Sequence, residues 1–273
     1  MRIWHAFIDE GYKDDRSFCL GSVFAPECAC AEMRESLLAR ITYENEKLAI
    51  EGYPPISRYH ATDCAGLYKE FSPKRGWDRD RQIKLTKRIN GILIEEGAMG
   101  AVVGGGSVDL RPYLDPRQDE KHFWYTLCFK MLIHTLTAML EKHFPGDRLR
   151  MFYDTSPDFL PLARFAVDDF MTSKVTVGKR NILIDCQPTT WRATPELQLA
   201  DYVTLQGLWR IDGSARGDHR IKRSLEGLIG EMPLSIERFC AQNFADMIRM
   251  HQNLQAGIPI EEGVDSKLMV LVP

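Results

Sequence analysis

The chain has 273 residues, 44% of them hydrophobic and 27% charged, with a formal net charge of −3. That is enough apolar material for one large core or two small ones. The acidic balance excludes a uniformly basic nucleic-acid coat but leaves room for a local basic face.

Seven cysteines stand at Cys19, Cys28, Cys30, Cys64, Cys128, Cys186 and Cys240. Their number is odd, and Cys28-x-Cys30 has no second pair at zinc-finger spacing, so reduced thiols of a cytoplasmic protein are expected. Asp9 and Glu10 interrupt the first apolar segment and no apolar run reaches about 18 residues, so neither a signal peptide nor a membrane span is expected.

In chain order, residues 2–8 read as a buried strand ending at Asp9, and residues 11–15 as a polar turn. A second apolar run at 17–24 makes the pair a hairpin, closed by Pro26. Helical spacing follows over 29–50, then an irregular Gly/Pro/Ser-rich stretch at 51–76 that holds Tyr59-His60-Ala61-Thr62-Asp63. A second helix is predicted from Asp78 to Glu96 with Gly97 as its cap, then a strand from 98 running into the glycine-rich turn Gly104-Gly105-Gly106. The strongest helix spans 119–143, where Phe123, Leu127, Met131, Leu132, Leu136, Met139 and Leu140 form a wide apolar stripe. Beyond it lie a strand at 149–153, a helix at 158–172, a strand at 181–185 and a helix from Pro195 through Arg210. The rest reads as mostly helical to about Leu254. The pattern predicts one α/β domain over residues 1–255, with a hairpin in front, crossover helices behind and a helical C-terminal part. Residues 256–273 read as an extended tail.

Three acids occupy comparable places. Asp9 ends the first strand, Asp154 ends a later one, and Asp201 lies inside the apolar helix segment Leu197-Gln198-Leu199-Ala200-Asp201-Tyr202. Sites in open α/β sheets form at the carboxyl ends of strands. A single aspartate at a strand end is more often a turn or cap residue, but capping does not explain an acid inside an apolar helix, which is costly without a partner. If the three converge, they repel one another, and a divalent cation resolves the conflict. Oxygen-only ligands favour Mg²⁺ or Mn²⁺. Glu10 joins them only if the chain turns at Gly11, since adjacent strand residues face opposite sides. Gln198, three residues before Asp201, could orient it, and Asp185 competes for the third ligand position. His60 is a candidate metal ligand, proton shuttle or phosphate contact, with Asp63 beside it. The remaining histidines have no acidic or cysteine partners at ligand spacing.

Two segments are basic. From Lys69 to Arg88 there are eight Lys/Arg against three acids, and from Arg210 to Arg223 five against two, with Phe71, Trp77 and Trp209 within or beside them. Basic residues interleaved with aromatics suit a nucleic-acid strand, and a solvated helix face is the plainer reading. The glycine run lacks a GxGxxG pattern and a P-loop lysine, and no Gly-x-Ser-x-Gly elbow occurs.

The ordered set Phe7-Ile8-Asp9-Glu10-Gly11, Phe18-Cys19-Leu20-Gly21, His60-Ala61-Thr62-Asp63, Tyr153-Asp154 and Leu197-Gln198-Leu199-Ala200-Asp201-Tyr202 resembles the bacterial and phage family called domain of unknown function 3800. The likeness spans roughly residues 3–210. It implies a ribonuclease H-like mixed sheet with flanking helices and an acidic cluster at Asp9, Glu10, Asp154 and Asp201. The family pattern is Asp-Glu-Ser-Gly, whereas here Gly11-Tyr12 follows the acids directly. The expectation is a metal-dependent phosphodiesterase, a nuclease with Asp9, Glu10, Asp154 and Asp201 around Mg²⁺ or Mn²⁺ and His60 and Asp63 assisting. The alternative is a non-catalytic module of phage defence or mobile elements that binds nucleic acid or protein. Hydrolysis of a small phosphate ester is a third reading. The sequence does not fix the oligomeric state.

Overall fold

The computed structural model describes residues 1–13, 16–111, 119–154, 156–172, 181–218 and 222–240, together with 220, 242–243 and 246. It is an α/β fold around one six-stranded mixed sheet of order β5-β4-β1-β2-β3-β6. Strands β1 (Ile3–Lys13), β2 (Ser17–Pro26) and β3 (Met99–Gly106) form an antiparallel meander. β4 (Arg148–Asp154) and β5 (Leu183–Thr189) run parallel to β1 on one side, and β6 (Leu234–Phe239) runs parallel to β3 on the other.

Side-chain alternation splits the core into two layers. Trp4, Ala6 and Ile8 of β1 join Leu149, Met151 and Tyr153 of β4 beneath α5 (Glu120–His143) and α6 (Leu160–Thr172). Phe7, Cys19, Val23 and Val102 face the other way, toward α1 (Glu27–Ile50), α3 (Arg79–Glu95) and α7 (Leu197–Ala215). Helix α5 is long and apolar enough by composition to cross a membrane. However, 72% of its apolar window is buried inside the fold, so it is the central core helix. Its Asp119 side chain accepts from the His122 amide and caps the first turn.

Several elements depart from the expected pattern. β1 does not stop at Asp9 but continues to Lys13, with Gly11 paired to Cys19, so the hairpin turn lies later than expected. The glycines at 104–106 are not a turn. They remain in β3, where a side chain at Gly105 would strike the Trp124 ring. The 51–76 stretch contains α2 (Ala61–Gly66) and two short 3-10 turns. α7 begins at Leu197, so Pro195 precedes the helix rather than opening it. The region after Arg210, expected to be helical, carries α8 (Arg223–Glu231) and then β6, a sheet strand. Its β-branched and aromatic residues are few, and its pairing with β3 is what defines it. The 256–273 tail lies outside the described residues.

All seven cysteines are free thiols, and Cys28 alone among them is exposed.

Candidate active site

The site grows from one close approach. α7 lies across β1, β2 and β3, and at Gly21 its backbone comes so near that an added Cβ would sit 2.7 Å from Thr204 Cα. Gly11, two residues after Asp9, is bare for the same reason, since a Cβ there would meet Thr204 Cγ2 at 3.0 Å. Its role is packing, not turning. Gly21 is also the cross-strand partner of Asp9. Thr204 donates to Ala200 O at 2.7 Å and lies 3.4 Å from Asp9 O. Asp201 stands one turn before Thr204. A small residue on β2 therefore sets how near the α7 acid comes to the β1 acid.

Asp9 shares the α7 face with Phe7, and alternation along β4 puts Asp154 on that same face. β1 and β4 are parallel neighbours, with Ile8 beside Tyr153, so the next residues are Asp9 and Asp154. Glu10 takes the opposite face of the strand, with no turn to bring it round. It still lines the cavity, beyond the point where the β1–β4 register ends at Ile8 and Tyr153. Asp9, Glu10, Asp154 and Asp201 all line one cavity of about 410 Å³, together with Arg58, His60, Asp63, Lys69 and Trp191. Every member of the sequence-derived set is present there. Asp185 is not. It sits inside β5 opposite Arg150 and accepts from Gln187.

Burial pushes the Asp9 carboxyl well above the ordinary range, and Asp201, Glu10 and Asp154 add to it by repulsion. Burial likewise lifts Glu10 to about 7, with Asp154 the main repelling neighbour. Asp201 is raised by burial, an effect opposed by His60, the Ala61 amide and Arg58. Such a cluster is expensive to hold ionised. In the folded chain Glu10 keeps its proton over a pH range where an unfolded chain has released it. Folded stability without added cation therefore falls as pH rises from about 4.5 to about 7. Melting curves of Glu10→Gln across that range are expected to be flatter than those of the wild type. Parallel profiles would show that Glu10 is not the titrating group.

Asp201 has a second task. Its Oδ2 accepts from the Ala61 amide at 2.8 Å, while Gln198 Oε1 accepts from the Tyr59 amide at 2.6 Å. Gln198 does not orient Asp201. The two side chains, three apart on one helix face, instead grip the backbone on either side of His60. His60 Nδ1 lies 3.0 Å from Asp63 Oδ2 and 3.4 Å from the Asp63 amide. The Asp63 amide donates to Nδ1, so the His60 ring caps the first turn of α2. Lys69 Nζ also reaches Asp63 Oδ2, at 3.3 Å. Leu67 and Lys69 both adopt positive φ, at 54° and 46°, an uncommon state for residues with side chains.

The oxygen-only donor set suits a hard divalent cation. Among the described residues, however, no three His, Cys, Asp or Glu side chains stand together as a ready metal cage.

The basic segments differ from expectation. Phe71 and Trp77 are 1% exposed and belong to the core, so neither is a surface stacking platform. Arg81 is tied to Glu44 and Glu51, Arg88 to Glu95, and Lys84 to Asp80. Arg216 and Arg220 pair with Asp212 and Asp218, and Lys222 lies 3.1 Å from the Trp209 ring centre. Two cavity residues had no sequence signal, Arg58 and Trp191. Each stands alone in an irregular stretch, and only the folded chain brings them together. No family model, no curated protein and no solved structure matches this chain, so its likeness to any family rests on the residues already quoted.

Proposed function

We propose that the chain is a divalent-cation-dependent phosphodiesterase with a ribonuclease H-like core, acting on nucleic acid. The antiparallel meander followed by parallel crossover strands supports the fold part of this reading. The observation that carries the chemistry is the gathering of four mutually repelling carboxylates around one cavity, which Arg58, His60 and Lys69 also line. Asp9, Asp154 and Asp201 would hold Mg²⁺ or Mn²⁺, with Glu10 completing the oxygen set. When bound, such ions activate water and steady the leaving oxygen. The protein's own share is positional. Arg58 and Lys69 bind phosphate oxygens, Asp63 holds the His60 ring, and His60 Nε2 takes or returns a proton beside the scissile bond.

The test is incubation of the purified protein with Mg²⁺ or Mn²⁺ and single- and double-stranded DNA and RNA. Cleavage that a chelator abolishes is expected. Intact polymers in every combination would remove the nuclease reading, and a mononucleotide ester cut faster than any polymer would move the activity to small substrates.

The absence of a ready cage among the described residues favours a second reading, a module that binds nucleic acid or a partner without cutting. Calorimetry separates the two. Salt-sensitive nucleic-acid binding with no heat on Mn²⁺ titration would support the module.

A further inference from the structure

Arg58 and Trp191 line the cavity together with its acids. Arg58 lies 5.0 Å from the centre of the Trp191 ring, and Arg192 lies 4.6 Å from the same ring. Both distances fall within cation–π range. Arg58 comes from the loop before α2, while Trp191 and Arg192 follow β5, so two distant parts of the chain meet here. Trp191 is only partly buried and lines the cavity, as does Arg58. Three of the five tryptophans are packed away, while Trp191 and Trp209 are partly buried. Trp4, Trp77 and Trp124 are each no more than 2% exposed. The indole at 191 thus packs against the core on one side and lines the cavity on the other.

Arg58 carries no carboxylate partner among the described ion pairs, and its charge is felt by Asp201. A planar guanidinium against an indole offers a flat surface and a phosphate-binding fork side by side, the two things one nucleotide needs. The space is limited. About 410 Å³ lies at the small end of ligand cavities, room for one nucleotide unit.

We propose that Arg58, Trp191 and Arg192 form a subsite for one unpaired nucleotide. Its base packs on the Trp191–arginine surface and its phosphate points to the carboxylates. The substrate class is therefore single-stranded nucleic acid, or a strand end freed from its partner. This rests on the reading of the cavity as a phosphodiester site.

The experiment is fluorescence anisotropy with fluorescein-labelled oligothymidylate and oligouridylate, in Ca²⁺ to allow binding without turnover. Mn²⁺ cleavage is assayed in parallel. Trp191→Ala is expected to weaken binding about tenfold, as loss of one base–aromatic stack does, with Trp191→Phe staying close to wild type. Arg58→Ala is expected to reduce the slope of log affinity against log salt by about 0.7, the share of one phosphate contact on a single strand. A duplex of equal length should compete poorly, and free thymidine monophosphate more weakly than the oligomer. Whichever of the deoxy and ribo strands binds tighter names the sugar.

Unchanged binding by Trp191→Ala would overturn the subsite, and so would duplex binding equal to that of the single strand. If Trp191→Ala melts early, Trp191→Phe decides: tight binding by it supports stacking, and weak binding despite wild-type melting opposes it. Trp191-dependent binding without wild-type cleavage removes only the hydrolysis reading. Cleavage indifferent to Trp191 removes only the subsite.

Discussion

Asp9→Asn is expected to lower Mn²⁺-dependent strand cleavage by about a thousandfold or more, the scale of losing several kcal/mol of metal-centred stabilisation. The same change should raise the melting temperature in chelator. Asn keeps the shape of the side chain but removes a charge that burial and three acidic neighbours oppose. Activity and stability then move in opposite directions, as they do where a fold tolerates repulsion for function. Asp201→Asn is the companion variant, because the amide oxygen still accepts from Ala61 while the charge is gone. If Asp9→Asn cuts as well as wild type, Asp9 does no chemistry. If it loses cleavage and also melts earlier, its role is structural.

Gly21→Val is expected to unseat α7. The new Cβ would lie 2.7 Å from Thr204 Cα, a backbone atom that no rotamer change moves away. Overpacking of this kind costs about 3 kcal/mol, or roughly 6–12 °C in melting temperature for a domain of this size. Gly230→Ala is the control, since nothing lies near it and it sits in α8, where alanine is the better helix former. Gly21→Val should also impair the site before the protein unfolds, because Asp201 rides on the displaced helix. Thermal melts and Mn²⁺ cleavage at low temperature measure both. A Gly21→Val protein with wild-type melting would mean that α7 does not pack this closely on β2.

The 3.6-residue pattern exposes α3 and α5, and continuous apolar runs expose β1 and β2, whose two faces both lie in a core. β6 is less legible. Leu234–Phe239 alternates poorly, all but its last residue is only partly buried, and it is a strand because β3 offers it an edge. The glycines misled for a related reason. Gly11 and Gly104–Gly106 look like turn formers when read locally, yet they are places where a helix or neighbouring strand comes too close for a side chain. For the site, acids at strand ends and an acid in an apolar helix stand out because their cost is visible in the sequence. Arg58 and Trp191 stand out in no local pattern. The Gln198–Tyr59 and Asp201–Ala61 hydrogen bonds are equally hidden, since they join residues 139 and 140 positions apart.

Those two bonds imply that the cavity has two different lifetimes. Asp9 and Asp154 belong to strands inside the sheet, whose amides are expected to exchange only as the sheet opens. His60 is held beside them largely through two backbone amides clasped by α7. That clasp can release while the sheet stays intact, a sub-global opening of low free energy. In native-state hydrogen exchange the Tyr59 and Ala61 amides should therefore report an equilibrium of their own, faster than β1. A bound strand should slow exchange at these two positions first.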